Sequence, residues 1–212
     1  MLNFLQQHCI YKDDDILVIN KPAGLLTIDG KDIKDSVLTR LQAIESRTLL
    51  IHRLDRDTSG LLVFAFNKTA QSHISKQFQA RETEKIYSAL LSGHLTGQGV
   101  IDIPVVYDPT RPPLHIVDSN EKKPAITHWQ AIEQFLFNDM PVTRVILKPI
   151  TGRSHQLRVH SQYLGHAIVG DTLYADETYQ TLTPQLCLHA SQLKFMHPRL
   201  NQLMTFESQP DF

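Results

Sequence analysis

His52-Arg53-Leu54-Asp55-Arg56-Asp57-Thr58-Ser59-Gly60 runs directly into six apolar residues, Leu61 to Phe66. The six show no polar alternation, which is typical of a central strand covered on both faces. Ser59 and Gly60 are turn-forming residues, so we expect a turn just before the strand. Asp55 is thereby placed at the edge of the core, where an unpaired carboxylate is costly. The stretch predicts a charged loop carried by a buried sheet.

Three more segments combine charged residues with strand or turn signals: Val18–Leu25 (VINKPAGL), Glu84–Ala89 (EKIYSA) and Leu147–His160 (LKPITGRSHQLRVH). With the central stretch, and in this order, they resemble the motifs of the RluA family of pseudouridine synthases. Shorter pieces also fit, namely Gly165-His166 with Gly170-Asp171, and Leu188–Ala190 with His197-Pro198. The resemblance covers nearly the whole chain. It implies the α+β (mixed α/β) catalytic fold of these enzymes, in which helices and loops flank a mainly antiparallel, mixed central sheet.

The resemblance gives the catalytic role to Asp55, the acid after Arg-Leu in the central motif. Isomerising uridine to pseudouridine breaks the bond between ribose C1′ and uracil N1 and joins C5 to C1′. A carboxylate can support this as a nucleophile at the sugar or by removing a proton, and neither metal nor cofactor is needed. From the residues alone, pairing with Arg53 or Arg56 to pin the loop is the commoner use of such an Asp. Asp57 competes for the role, but the motif favours Asp55.

Two further catalytic residues follow from the resemblance. Arg158 is implied to pair with the catalytic Asp, which would lower the pKa of that carboxyl and keep it ionised. Tyr87 can stack on uracil and use its hydroxyl for proton transfer at C5. From the sequence pattern alone, a surface-bonded helix arginine and a core tyrosine remain open as alternatives.

Five residues form the predicted substrate-binding set. Leu157 matches the family residue that packs against the bound base. Arg53 can fill the space left by a flipped-out base, or bind a phosphate. Lys21 is either structural or a phosphate contact, and the set is completed by His52 and Arg153.

Bulk properties limit the classes of protein that fit. The chain has 212 residues and two cysteines far apart in sequence, and its net charge of −1 excludes a generally basic nucleic-acid binder. No apolar run reaches the roughly 20 residues of a membrane helix, so we expect a cytoplasmic protein without a membrane partner. An RNA-binding face must therefore concentrate the basic residues of the motif loops: Lys21, Arg53, Arg56, Arg81, Lys85, Arg111, Lys122, Lys123, Arg153 and Arg158.

Residue patterns predict one catalytic domain over residues 1–212, without an S4-like RNA-binding domain. Three successive acids at Asp13 to Asp15 are expected to form a solvated turn rather than a cation site. Residues 104–124 hold five prolines and are expected to be an irregular surface excursion. The expected elements are a helix or arm over 1–10, strands at 16–19, 61–66, 85–94, 125–136, 142–148, 186–195 and 203–207, and helices after Ser36, after Asn67 and over 154–163.

The resemblance is greatest to the short RluA type. This type acts on both the tRNA anticodon stem-loop and a hairpin of large-subunit rRNA, so we expect RNA as the partner, and a monomer. Two other classes stay open. One is an inactive RNA-binding protein of this fold that serves in RNA folding or ribosome assembly. The other is a metal-dependent hydrolase or nuclease, which the eleven histidines suggest. These histidines are scattered along the chain without the spacing of metal ligands, which argues against this class.

Overall fold

The computed structural model describes residues 2–212, and side chains from Phe4 onward. By their mutual contacts the residues fall into two compact units. The first holds the chain up to Lys85 together with His189–Asp211, and the second holds Ile86–Leu188 together with Phe212. The expectation of one catalytic domain stays a prediction. In the described residues, no helix combines the length and apolar character that a membrane crossing requires.

The first unit is a mixed sheet with helices. Its elements are α1 (Leu2–His8), β1 (Cys9–Lys12), β2 (Ile16–Lys21), α2 (Val37–Gln42), β3 (Leu49–Leu50), β4 (Ser59–Ala65), α3 (Lys68–Ala80), the start of β5 (Glu84–Ser92), most of β11 (Leu188–Met196), and β12 (Leu203–Glu207). The strand order is β1-β2-β4-β11-β12, and β3 also pairs with β4. The β4–β11 pair is parallel and the others are antiparallel. Its core is Ile16, Val18, Leu61, Val63, Ile74, Leu193, Phe195 and Phe206.

The second unit is an antiparallel sheet with a small hairpin and two short helices. The sheet has the order β5-β10-β9-β6, formed by the rest of β5 with β6 (Gln98–Asp102), β9 (Ile126–Phe137) and β10 (Met140–Pro149). The hairpin is β7 (Val105–Tyr107) with β8 (His115–Val117), and the helices are α4 (Gln156–Tyr163) and α5 (Glu177–Thr181). The core is built from β5, β10, α4 and residues 168–169 and 186–188. The predicted α+β class with a mainly antiparallel, mixed sheet is confirmed.

Capping residues begin two helices where the sequence predicts. Ser36 Oγ accepts a hydrogen bond from the Thr39 amide (3.2 Å), and Asn67 Oδ1 accepts one from the Ala70 amide (2.8 Å). Each side chain satisfies an amide that lacks a partner within the helix.

The expected turn at Ser59-Gly60 is wrong, because β4 already begins at Ser59. Gly60 has φ 108°, and a Cβ there would lie 2.5 Å from the Ala190 backbone nitrogen and oxygen. The glycine is required because β11 approaches β4 too closely for any side chain.

Two other expectations need correction. Helix α4 begins at Gln156 rather than Ser154, because His155 takes a left-handed conformation with φ 55° that ends the preceding turn. The excursion over residues 104–124 is not irregular throughout, since it contains the β7–β8 hairpin. Each strand of the hairpin has only three residues, which is too few to show a periodic pattern in the sequence.

Candidate active site

Asp55 lies half-buried in the loop between β3 and β4, and the backbone on both sides of it is fixed. On one side, the Leu54 amide donates to Thr27 Oγ1 (3.2 Å), while the Thr27 hydroxyl donates to the Leu54 carbonyl (2.8 Å). Thr27 is buried, so this reciprocal pair is shielded from water. The loop thus holds the carboxylate on a backbone that has little freedom to move.

Lys21 fixes the other side of Asp55. Its side chain is fully buried, and Nζ donates to the carbonyls of Pro22, Leu25 and Arg56, each at 2.8 Å. An ammonium has three N–H donors, so all of them are used inside the protein. Burial lowers the pKa of Lys21 to about 7, against the opposing pull of the nearby Asp57 and Asp55 carboxylates. Lys21 therefore acts as a support for the loop, and its contact with an RNA phosphate stays a prediction.

His52 completes the hydrogen bonding of β4. Along one edge, β4 pairs with β11 at Ser59-Gly60 and with β3 at Phe64-Ala65. Between these contacts the Val63 amide donates to His52 Nε2 (3.2 Å), and the imidazole stacks on Phe78 with 4.5 Å between ring centroids. Burial, and then the charge of Lys85, lower the pKa of His52 to about 3, so the ring is neutral. A buried amide needs a partner, and here a side chain supplies it.

Three charged residues of the same loop face solvent to different degrees. Arg56 Nε donates to Asp57 Oδ1 (2.9 Å), and these side chains are 53% and 30% exposed. Arg53 is exposed and, in the part of the chain that the structure describes, makes no hydrogen bond or ion pair. Its guanidinium is thus available to an incoming ligand.

Arg158 lies in the second unit on α4, where it forms a buried ion pair that the sequence analysis missed. Nε and one terminal nitrogen of Arg158 donate to Asp171 at 2.7 and 2.6 Å, and both side chains are at most 4% exposed. The guanidinium also lies 5.0 Å from the Tyr174 ring centroid. Asp171 further accepts the amides of Leu173 and Tyr174, so the loop after α4 orients the carboxylate. The pairing of Arg158 with Asp55 that the resemblance implies stays a prediction.

Tyr87 and Leu157 contact one core. Tyr87 lies on β5 directly opposite Leu147 of β10, and its half-buried ring packs against the cluster that contains Leu157. Leu157 is 7% exposed. The structure therefore brings these two predicted residues to the same cluster of the second unit.

Gln156 organises the third motif. Its side-chain oxygen accepts from Thr151 Oγ1 (2.8 Å) and from the Arg153 amide (3.0 Å), while its nitrogen donates to the Ile126 carbonyl and to Thr127 Oγ1, both at 3.0 Å. The bonds from Thr151 and Arg153 fix the loop that precedes α4, and the bonds to Ile126 and Thr127 hold the start of α4 against β9. Arg153 itself is half-buried and donates through Nε to the Pro124 carbonyl (3.2 Å).

Thr27, Gln156 and Asp171 are the supporting residues that sequence reasoning did not select. Asp171 carried one signal, since it follows Gly170 in a segment that fits the family. Gln156 lies in the third motif, which marked the segment but not the four-way hydrogen bonding of this residue. Thr27 carried no signal, because its partner Leu54 lies 27 positions away in the sequence.

One cluster among residues 2–212 has the residue types of a metal site: Asp13, Asp15 and His197. Its atoms already bind one another or neighbouring groups. His197 Nε2 lies 2.8 Å from Asp13 Oδ2, His197 Nδ1 accepts the amides of Arg199 and Leu200, and Arg199 Nε lies 2.6 Å from Asp15 Oδ2. We assign this cluster a structural role, in joining β11–β12 to the β1–β2 turn.

Comparison with known proteins gives a consistent picture. The family model described as RNA pseudouridylate synthase matches residues 15–163. The dual-specificity RNA pseudouridine synthase RluA of Escherichia coli (strain K12) is 43% identical over 206 residues, which is 96% of this chain and 93% of that protein. Its counterpart from Haemophilus ducreyi is 44% identical over 215 residues, 99% of this chain and 95% of that protein.

Solved structures agree. Human RNA pseudouridylate synthase domain containing 1 matches with a TM-score of 0.82 and 30% identity, over 95% of this chain and 82% of that one. Human RNA pseudouridylate synthase domain containing 4 matches with a TM-score of 0.75 and 26% identity, over 98% and 90%. On sequence motifs, fold and relatives together, the chain belongs to the RNA pseudouridylate synthase family and is an RNA pseudouridine synthase, an isomerase.

Proposed function

We propose that this pseudouridine synthase isomerises uridines in the tRNA anticodon stem-loop and in a hairpin of large-subunit rRNA. The observation that carries the proposal is similarity of 43–44% identity, over nearly the full length of both chains, to proteins named dual-specificity RNA pseudouridine synthases. Unpaired bases of RNA loops can be splayed out and stacked on protein side chains, which suits a chain that reads loops by shape.

Asp55 is the catalytic carboxylate in this proposal. It either adds to ribose C1′ or removes a proton from the sugar, so that the bond from C1′ to N1 breaks and the base is freed to turn. The new bond joins C5 to C1′, and C5 loses its proton. The support for Asp55 is its half-exposed position between two clamped residues, Leu54 and Arg56, because a reacting group must be held in place to act efficiently.

Arg158 and Tyr87 share the catalytic work. Arg158 supplies positive charge, and its bidentate bond to Asp171 fixes the plane of the guanidinium. Tyr87 supplies a ring for the uracil and a hydroxyl that can take the C5 proton. Leu157 supplies the apolar wall, since it lies in the same cluster as Tyr87.

Arg53 is the residue that we propose for base flipping, because its exposed guanidinium is available to fill the gap in the stacked RNA. Arg153 contacts the RNA backbone. Lys21 and His52 contribute indirectly, by holding the loop, since their polar atoms bond within the protein. We further propose that the enzyme works in the cytoplasm as a monomer, which gel filtration with light scattering will check.

The decisive experiment is tritium release from C5-labelled uridine in unmodified tRNA and in large-subunit rRNA transcripts. We expect release by wild type and by Asp57→Asn, the matched acid two positions away, and none by Asp55→Asn. Active Asp55→Asn would contradict the catalytic assignment. Binding without release from either RNA would favour an inactive RNA-binding protein instead.

A further inference from the structure

Four aromatic side chains form a connected row in the second unit, which we call the aromatic row: Tyr107 of β7, His115 of β8, His155 at the start of α4, and Tyr174. Ring centroids are 5.5 Å apart between Tyr107 and His115, 4.7 Å between His115 and His155, and 5.7 Å between His155 and Tyr174. Such distances are those of interacting aromatic pairs.

Hydrogen bonds fix the inner part of the row. Tyr174 Oη accepts the backbone amide of His115 (2.9 Å), and a hydrogen bond of 2.7 Å joins Tyr174 Oη to His155 Nδ1. Tyr174 is 6% exposed, and the Arg158 guanidinium lies over its ring. The row therefore leads from a buried end at the proposed catalytic Arg158 outward along the hairpin.

The outer end of the row is open to solvent. Tyr107 lies directly opposite His115 in the hairpin and is 50% exposed. Val105, which shares its face of β7, is only 7% exposed because it packs with Val159 of α4. Packing against α4 thus explains the apolar residue at Val105, whereas the half-exposed ring of Tyr107 is not explained by burial in the core.

Cationic residues lie in the segments joined to this part of the unit. Arg153, two residues before His155, donates through Nε to the Pro124 carbonyl, and the exposed Lys122 and Lys123 directly precede Pro124 in the chain. Proteins bind unpaired nucleotides with exposed aromatic rings, which stack on bases, and with cationic side chains, which bind phosphates.

We propose that Tyr107 and His115 form a stacking site for one unpaired RNA base, a nucleotide a few positions from the target uridine. This inference rests on the proposed function, because it takes RNA as the ligand. It makes the hairpin a determinant of which RNA loops are modified, separate from the catalytic residues.

The test uses a synthetic tRNA anticodon stem-loop with 2-aminopurine placed at one loop position at a time. Fluorescence titration gives Kd, and tritium release from labelled RNA gives kcat and KM. We expect Tyr107→Ala to raise Kd and KM by about 5- to 150-fold and to abolish the fluorescence change at one loop position. At saturating RNA, kcat should stay within about threefold of wild type, because stacking remote from the reacting atoms acts on binding.

Matched variants separate stacking from folding. Tyr107→Phe and His115→Phe keep a ring and should bind like wild type. Ile116→Ala changes a residue that is 39% exposed on the other face of β8 and should have no effect. If Tyr107→Ala fails to fold by circular dichroism, Tyr107→Leu replaces it, since it retains apolar bulk without the ring.

The inference is overturned if Tyr107→Ala and His115→Ala bind like Ile116→Ala, or if Tyr107→Phe binds as weakly as Tyr107→Ala. Failure of the proposed function would give a different result. In that case wild type would release no tritium from either RNA, whatever effect the hairpin variants have on Kd.

Discussion

Replacing Asp171 by Asn tests whether the buried pair with Arg158 holds the second unit together. The substitution keeps the size of the side chain and one oxygen, which can still accept the amides of Leu173 and Tyr174. It removes the negative charge and one of the two Asp171 oxygens that accept from Arg158. The guanidinium then loses its bidentate carboxylate partner in a site where both side chains are at most 4% exposed.

The expected cost follows from that burial. Breaking a buried pair by removing one partner costs about 3–5 kcal/mol, since the other charge stays desolvated and loses that partner. The double variant Arg158→Met/Asp171→Asn should recover about 1.5 kcal/mol or more of this loss, because the desolvated charge of Arg158 is removed as well. Both variants should also be strongly impaired in tritium release, since Arg158 is misplaced in one and absent in the other.

Urea unfolding measures the free energies. Trp129 is the only tryptophan in the chain, and it packs against the core of the second unit, so its fluorescence reports that unit directly. The control is Asp35→Asn. Asp35 and Arg40 form a pair with the same two distances, 2.7 and 2.6 Å, but are 56% and 39% exposed, so we expect no measurable change.

Two results would refute the reasoning. If Asp171→Asn unfolds at the same urea concentration as Asp35→Asn, burial does not determine the strength of the pair. If the double variant is no more stable than Asp171→Asn alone, the desolvated charge of Arg158 is not the source of the loss.

Two other predictions concern the support of the β4 strand. Burial lowers the pKa of His52 from 6.5 to about 3. Between these two pH values the unfolded chain binds a proton at His52 and the folded chain does not. This residue therefore lowers the free energy of unfolding by about 1.4 kcal/mol for each pH unit as the pH drops from 6.5 towards 3. Urea unfolding at successive pH values should show that His52→Gln loses this dependence of the free energy of unfolding on pH, whereas the exposed control His94→Gln keeps the dependence of wild type. Equal pH dependences for the two variants would contradict a buried neutral ring at His52. Gly60→Ala should destabilise the fold by about 2–5 kcal/mol, since the new Cβ meets the Ala190 backbone. The control is Gly97→Ala, where φ is 83° but nothing lies within 4 Å of an added Cβ, and it should cost only about 1–2 kcal/mol. Urea unfolding of both variants measures the two losses, and similar values would refute the close approach.

Local sequence signals predicted much of the fold. The caps at Ser36 and Asn67 act through amides three residues away, and the apolar run from Leu61 forms a strand whose neighbours cover both faces. Such features depend on residues close in sequence, so periodicity and capping rules reach them. Short elements such as β3 and the β7–β8 hairpin escape these rules, because two or three residues show no period.

The candidate site could be predicted from the sequence only in part, for a different reason. The sequence singles out Asp55, Tyr87 and Arg158 through motifs, but it does not show what supports them. Thr27 reaches Leu54 across 27 positions, and Asp171 reaches Arg158 across 13, so neither pairing leaves a local pattern. Lysine is rarely buried, and the composition alone would place Lys21 on the surface.

These supports have one physical cause. The loop that carries Asp55 lies against the core without regular secondary structure, and its backbone groups still need partners. Two side chains provide them, since Thr27 binds Leu54 and Lys21 binds the Arg56 carbonyl. On the following strand, His52 in the same way accepts the Val63 amide on the edge of β4 between its pairings with β11 and β3. Lys21 and Thr27 come from the first motif and the residues just after it, so this part of the chain holds the central motif in place. A loop fixed in this way holds the half-buried carboxylate of Asp55 in place while the guanidinium of Arg53 stays exposed to solvent.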